Sequence, residues 1–467
     1  MSYDAAKTGN WDARWNPLDE SPDAELNRDL RKLRERCIDL VRNDPLAYGV
    51  IDTIAQGVVG RGPRPRFLTA SVDLQAHLDA LWWAWTPNAG WDGLASWKDI
   101  VSGVVHASCM SGDVGVLWPD VGDGTGPRID LVDARRIDSP SDKTSEADSA
   151  RLGVGYDKYG RTLGIYVAKG EHSTGVRENF HWFPLNKNGR INCRLYRRPS
   201  VMRPRQSRGV PMFAPAALAL KDCREYRRTE VRRAQRAAKD VFIFTTPDPK
   251  GVADALENVR MEAASSGLDP DASIQEMLGR SYGTVPDGNT VVAAIGETVQ
   301  TVNPPQVNGG VGDYMESMLR AISACTGLPF EEAFRLYAKL NYSNARTIRI
   351  MAKATYKNWR DSLEDALCSP TITLLIRYWW ASGALGRIPW SDDMLAHEWH
   401  WDEMEWVDPA KEVGANAEAI TTGQKSIVEV CAERGRDWKQ VIKENLEAEK
   451  YEAELRASMG LEPKAEP

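Results

Sequence analysis

His397 and His400, with Glu398, Asp402 and Glu403 beside them, come nearest in this chain to the residue types and spacing of metal chemistry. Zinc, however, needs a third ligand at a matching spacing, and none is present. The pair sits among Trp399, Trp401 and Trp406, so an aromatic structural setting is the stronger reading. Asp392 with Asp393, and Asp269 with Asp271, could serve paired-carboxylate chemistry, but both fall in turn-like segments where acids are common. Gly57, Gly60 and Gly62 would suit a phosphate loop if they followed a strand and opened a helix; they close a helix instead. No Gly-Lys dipeptide occurs, which excludes a P-loop motor. These residues assign no catalytic, cofactor or metal site, and a metal-dependent DNA-processing enzyme stays only as an alternative class.

Those residues must be positioned by a chain of 467 residues, a length that fits roughly three domains of about 150 residues. With 42% hydrophobic and 27% charged residues, it reads as neither a disordered tail nor a membrane protein. The longest apolar run, Thr371 to Leu385, is interrupted by Arg377 and falls short of the roughly 20 residues a bilayer requires. Residues 1–20 are polar and acidic, without the pattern of a signal peptide. Seven cysteines, an odd number with no C-x-x-C pair, predict reduced and mostly buried thiols of a cytoplasmic protein. The net charge of −7 argues against wrapping the surface around nucleic acid, which needs a basic footprint, but not against letting DNA slide past.

The periodicities predict an α+β chain. Leu26, Leu30, Leu33, Cys37 and Leu40 mark an amphipathic helix, Asp44-Pro45 restarts it, and the glycines at 57 to 62 end it. Short strands follow at 114–118, 128–132, 163–168, 179–183 and 191–196. A long helix is predicted from Pro211 to Lys239, a rod of roughly 44 Å. Between Lys221 and Lys239 it carries eight Lys or Arg against Asp222, Glu225 and Glu230. Cations late in a helix suit its macrodipole. In a ring of parallel helices, the row Arg224, Arg228, Arg232 and Arg236 would instead need partners across subunits, with Glu225 and Glu230 as candidates.

Further on, a strand at 241–246, a helix at 250–266 and a hairpin of 290–295 with 298–303 are expected, then a short helix from Asp313 to Cys325 ended by Gly327. A helix capped by Ser343 should bury Ile348, Met351, Thr355, Trp359, Leu363 and Leu367 and stop before Pro370. The C-terminal part is helical and acidic. Asp408-Pro409 starts one helix, Ser426 with Glu429 forms a capping box, and Asp437 with Gln440 repeats the signal more weakly. From Asp402 onward 16 acids stand against nine Lys or Arg, so this region alone matches the excess of the whole chain. Of the 17 tryptophans most should be core, with some, Trp82 and Trp379 among them, reaching across a subunit boundary.

Seven short pieces then appear in one order: Arg42-Asn43-Asp44-Pro45 with Val59-Gly60-Arg61-Gly62; Gly153-Val154-Gly155-Tyr156-Asp157 with Gly160-Arg161; His181-Trp182-Phe183-Pro184; Arg208-Gly209-Val210-Pro211; Asn341 to Arg346; Trp406-Val407-Asp408-Pro409-Ala410-Lys411-Glu412; and Glu433-Arg434-Gly435-Arg436-Asp437. In this order the chain resembles the lambda-type bacteriophage portal family over residues 26–449. It departs from many relatives at Ser343-Asn344, where they carry two serines.

The resemblance implies a portal-protein fold and no catalysis. It implies a ring, usually of twelve subunits, at one vertex of the phage head, assembled in the host cytoplasm. Double-stranded DNA passes through the ring. The regions it implies are an N-terminal wing part (1–210), a first stem helix (211–239), a clip (240–310), a second stem helix (311–327), a tunnel loop (328–342), a C-terminal wing part (343–400) and a crown (401–467). Arg335, Lys339 and Asn341 would be the tunnel-loop residues nearest DNA. The terminase large subunit would dock first, head-tail adaptor proteins afterwards, and major capsid or scaffolding protein would meet the wing, with no membrane involved. A different ring-forming tail connector is the nearer alternative.

Overall fold

A computed structural model describes residues 19–458 apart from 120–121, 123–125, 141–145, 170–179, 199–202, 238–241, 246–253, 268–297 with four positions between 255 and 263, 302–310, 339, 403–408 and 434–437. The chain divides into two compact units, residues 1–222 with 316–467 and residues 223–315.

In the first unit, Ser21 caps α1 (Pro22–Asn43) by accepting the Ala24 N–H, and Leu26, Leu30, Cys37 and Leu40 are buried along it. Asp44 ends α1 and caps α2 (Pro45–Val59) through the Leu46 N–H at 3.0 Å, so one carboxylate serves the joint that the Asp-Pro pair predicts. Gly60, at φ 55°, closes α2 as a turn former. A strand β1 (Arg64–Phe67), then α3 (Val72–Trp85) and α4 (Trp97–Ser111) follow. Ser96 and Asp99 form a reciprocal capping box at the start of α4.

The strands form small antiparallel sheets. β2 (Asp113–Leu117) lies between β3 (Asp130–Val132) and, later in the chain, Cys193–Arg197. A meander joins β4 (Ser149–Arg151), β5 (Val154–Tyr156), β6 (Thr162–Ala168) and β7 (Phe180–Pro184). Then come the hairpin β8 (Asn186–Lys187) with β9 (Arg190–Ile191), and β10 (Cys193–Arg197). Leu117, Val132, Ile137, Ile165, Val167 and Cys193 make one apolar cluster from both larger sheets. The predicted strands are therefore present, with ends shifted by one or two residues.

The long helix starts later than its sequence suggests. Ala214–Ala216 form a single 3-10 turn holding Pro215, and α5 runs over Ala217–Ala237. A proline lacks the N–H an interior turn needs and disfavours helix just before itself, so the regular rod is 21 residues, roughly 32 Å.

The second unit holds most of α5 and the antiparallel pair β11 (Phe242–Thr245) with β12 (Thr298–Thr301). It also holds the start of α6 (Val311–Ser323), where Tyr226 and Tyr314 meet edge to face at 5.1 Å. The expected strand at 290–295 lies outside the described residues, and β12 finds its described partner in β11.

Back in the first unit, α7 (Phe330–Ala333) precedes α8 (Tyr342–Leu363). The cap of α8 is Asn341, whose side chain accepts the Asn344 N–H at 2.9 Å, and not Ser343. Either residue can cap; the chain's extended backbone at Asn341 decides it. The buried stripe is Ala352, Tyr356, Trp359, Leu363 and Leu367, while Met351 is 59% exposed. Pro370 does not stop the helix. A wider turn at Glu364–Cys368, closed by Ser369 N–H on the Glu364 carbonyl, hands over to α9 (Ser369–Ala381), and Pro370 falls in its first turn, where a missing donor costs little. β13 (His397–His400) pairs with β1, and α10 (Pro409–Thr421), α11 (Ile427–Glu433) and α12 (Trp438–Ser458) complete the chain. Ser426 and Glu429 form the predicted box, and Asp408 and Asp437 lie outside the described residues.

Trp82 and Trp379 are 2% and 3% exposed, so within the chain they are core. Trp82 packs against Trp85, Trp97 and Trp399 at ring distances of 5.5 to 6.0 Å. This corrects the expectation that those two cross a subunit boundary; the outward tryptophans include Trp83, Trp91 and Trp380. All seven cysteines are free and six are buried. Burial pushes the Cys37, Cys109 and Cys193 thiols up to about 12. No helix of the described residues is long and apolar enough to cross a membrane.

Candidate functional site

Two arginine-carboxylate arrangements in the first unit hold the segments the sequence singles out. The first lies at Arg208-Gly209-Val210-Pro211, just ahead of α5. Arg208 donates from Nε to Asp113 Oδ2 at 2.7 Å and from Nη2 to Asp113 Oδ1 at 2.8 Å. Its remaining N–H groups go to the carbonyls of Ala134 (2.8 Å), Ile137 (2.7 Å) and Leu152 (2.7 Å). All five donors of a guanidinium are thereby used. Arg34, from α1, donates from Nη2 to Asp113 Oδ1 at 2.9 Å and from Nε to the Ser111 carbonyl at 2.8 Å, and the Gly209 N–H also reaches Asp113 at 2.8 Å.

Asp113 has no exposed side-chain surface and Arg208 only 1%. Burial alone would raise the Asp113 carboxyl, but the guanidiniums of Arg208 and Arg34 outweigh it and hold it below the usual carboxylate range. Arg34 goes the other way: burial, with the like charge of Arg208, lowers it to about 10 against the pull of Asp113.

Backbone contact completes this clamp. Gly112 ends α4 at φ 91°, and a Cβ there would lie 2.4 Å from the Gly209 carbonyl carbon; one on Gly209 would lie 2.0 Å from the Gly112 oxygen. The two main chains touch, so neither position accepts a side chain.

The second arrangement holds residues 328–342. Leu328 and Phe330 are buried, and Arg320 stacks over the Phe330 ring at 4.4 Å. Glu332, also buried, accepts the hydroxyls of Tyr356 at 3.0 Å and Tyr337 at 2.7 Å. Burial, and then the Glu332 carboxylate, push both phenols upward. Gly57 on α2 makes room for Tyr356, because a Cβ there would lie 2.3 Å from its ring. Arg360 caps the end of α2, donating to the carbonyls of Val58 (2.9 Å) and Gly57 (3.0 Å).

Of the predicted loop residues, Arg335 pairs with Asp52 at 2.9 Å and Asn341 caps α8, while Lys339 lies outside the described residues. Along α5, Glu225, Arg228 and Arg232 are exposed, Arg224 and Glu230 half-buried, and Glu230 lies 3.5 Å from Arg233. Three of the zinc candidates are engaged elsewhere, and Glu403 lies outside the described residues: His397 bonds the Leu395 carbonyl (2.6 Å) and Ser369 Oγ (3.2 Å), Glu398 faces Arg66 at 3.5 Å, and Asp402 accepts the Arg61 N–H at 2.6 Å. No group of three or more metal-binding side chains occurs among the described residues. Asp113 is the residue sequence reasoning missed; a lone carboxylate opening the apolar strand Asp113-Val114-Gly115-Val116-Leu117 was its only signal.

The family model for the phage portal protein, lambda family, matches residues 8–360. Portal protein B of Escherichia phage lambda is 22% identical over 509 aligned positions, covering 97% of this chain and 89% of that protein. The portal protein of Escherichia phage N15 is 22% identical with the same coverage. Among solved structures, the neck of an empty gene transfer agent particle aligns with 92% of this chain and 94% of that one at 14% identity and a TM-score of 0.48. The virion of the native particle aligns with 94% of each at 14% identity and a TM-score of 0.47.

Proposed function

The chain belongs to the lambda family of phage portal proteins, and we propose that copies of it close into a ring, of twelve subunits, at one vertex of the phage head. Double-stranded DNA is packaged through that ring and later ejected through it. The match over residues 8–360 carries this reading. The charge of the chain supports it. DNA carries one charge per roughly 1.7 Å, and a surface neutralising many phosphates would grip the duplex where a transport ring must let it pass. A chain of net charge −7 avoids that grip.

Within the ring, residues 211–239 and 311–327 form the stem, 240–310 the clip, 328–342 the tunnel loop, 401–467 the crown, and the remainder the wing. Glu225, Glu230, Arg224, Arg228 and Arg232 meet neighbouring copies along the stem. Arg335, Lys339 and Asn341 in that tunnel loop are the residues nearest the passing duplex. The terminase large subunit docks on the clip during packaging, head-tail adaptor proteins follow, and capsid or scaffolding protein meets the wing. No chemistry is asked of the chain, and energy comes from the motor.

Negative-stain microscopy and native mass spectrometry of the purified chain test the ring. Annular particles at twelve times 52.0 kDa are expected. Monomers under every solution condition, together with no annulus in the parent particle, would overturn it.

A further inference from the structure

Arg335 is held more firmly than a cation reaching for DNA needs to be. Its backbone is left-handed, at φ 55°, a region arginine seldom adopts, so something beyond local preference keeps it there. Its guanidinium donates to three acceptors on one helix: Asp52 Oδ2 at 2.9 Å, Thr53 Oγ1 at 2.9 Å and Gln56 Oε1 at 3.3 Å. These acceptors are ordered within α2 itself. Gln56 Nε2 donates to Asp52 Oδ2 at 2.9 Å, and Thr53 Oγ1 donates to the Gly49 carbonyl at 2.8 Å. They form a socket one helical turn long. Three residues upstream, buried Glu332 ties the same segment to Tyr356 and Tyr337.

On the reading of residues 328–342 as the loop nearest DNA, we propose that Arg335 is a positioning residue. It fixes how far the loop projects by seating in the Asp52, Thr53 and Gln56 socket, and it does not itself grip the duplex. The side chain is 47% exposed and Asp52 25%, so the seat is reversible. Losing it should raise local opening about fivefold, the factor equivalent to about 1 kcal/mol.

Hydrogen exchange in assembled rings of the full chain tests this at the amides of Phe334 to Ala338. Asp52→Asn removes the carboxylate charge. Arg335→Asn removes the guanidinium but keeps a residue that tolerates positive φ. Each should exchange about fivefold faster there at nearly unchanged melting temperature. The double swap Asp52→Arg with Arg335→Asp should recover part of the protection. Added salt should speed the wild type more than either single variant. Unchanged exchange in both single variants overturns the positioning role.

Counting DNA-filled heads separates this role from the loop assignment beneath it. Faster exchange with altered filling supports both. Faster exchange with normal filling keeps the socket and discards the assignment of this segment to the DNA path.

Discussion

Asp113 and Asp52 each meet an arginine at hydrogen-bond distance, and the two places behave as opposites. Around Asp113 the pair is almost wholly out of water, all five Arg208 donors are used, and three separate stretches of chain converge on one guanidinium. Around Asp52 the partners keep part of their surface in solvent and one helix supplies every acceptor. Breaking a buried, fully bonded pair leaves an uncompensated charge; breaking a half-exposed one hands both groups back to water. The same two residue types therefore make a permanent joint ahead of α5 and an adjustable seat on α2.

The largest effect should come from Arg208→Ala, with a loss of about 3–5 kcal/mol in chemical denaturation as Asp113 loses its principal partner. Arg208→Lys should rescue little, since an ammonium offers three donors where five are used. A loss below about 1 kcal/mol would erase the contrast. The pH dependence follows from the depressed folded value of Asp113. Its contribution is complete above the unfolded value of about 4 and disappears as pH falls through the folded value. Acid titration of the wild type should show this limb, and Asp113→Asn should lack it.

Next in size stands Gly57→Ala, at about 1–3 kcal/mol, because the new methyl meets the Tyr356 ring and both must shift. Tyr356→Ala is itself destabilising, because it opens a cavity and removes one partner of buried Glu332, but in its background Gly57→Ala should cost less, sharpening the contrast by showing that the α2 side fails through crowding and not through charge. The smallest effect belongs to Asp52→Asn, within about 1 kcal/mol globally. Should it match Arg208→Ala, the seat on α2 is as permanent as the clamp.

Local signals made much of the fold legible. The Asp44-Pro45 joint, the glycine stop after Val59 and the Ser426 box are decided by residues within one helical turn, and each stands as expected. Failures came where tertiary contacts choose between adequate local options. Asn341 and Ser343 can both cap, and Pro370 reads as a terminator unless a widened turn precedes it. The stripe on α8 shifted because Gly57 admits Tyr356, a fact about α2 that the sequence of α8 does not contain. The clamp was illegible for the same reason. Arg34, Asp113 and Arg208 are separated by 79 and 95 residues, and no spacing rule reaches that far. Arg335 stood out as a cation in a loop, while its partner on α2 gave no sign.

At the crossing of Gly112 and Gly209 both partners are main chain, which closes the usual route by which proteins tolerate change. Neighbouring side chains can trade volume, one growing as the other shrinks; two backbones in contact have nothing to exchange. Drift at this point requires the end of α4 and the approach to α5 to move together, so surrounding sequence can diverge while the crossing itself stays where it is.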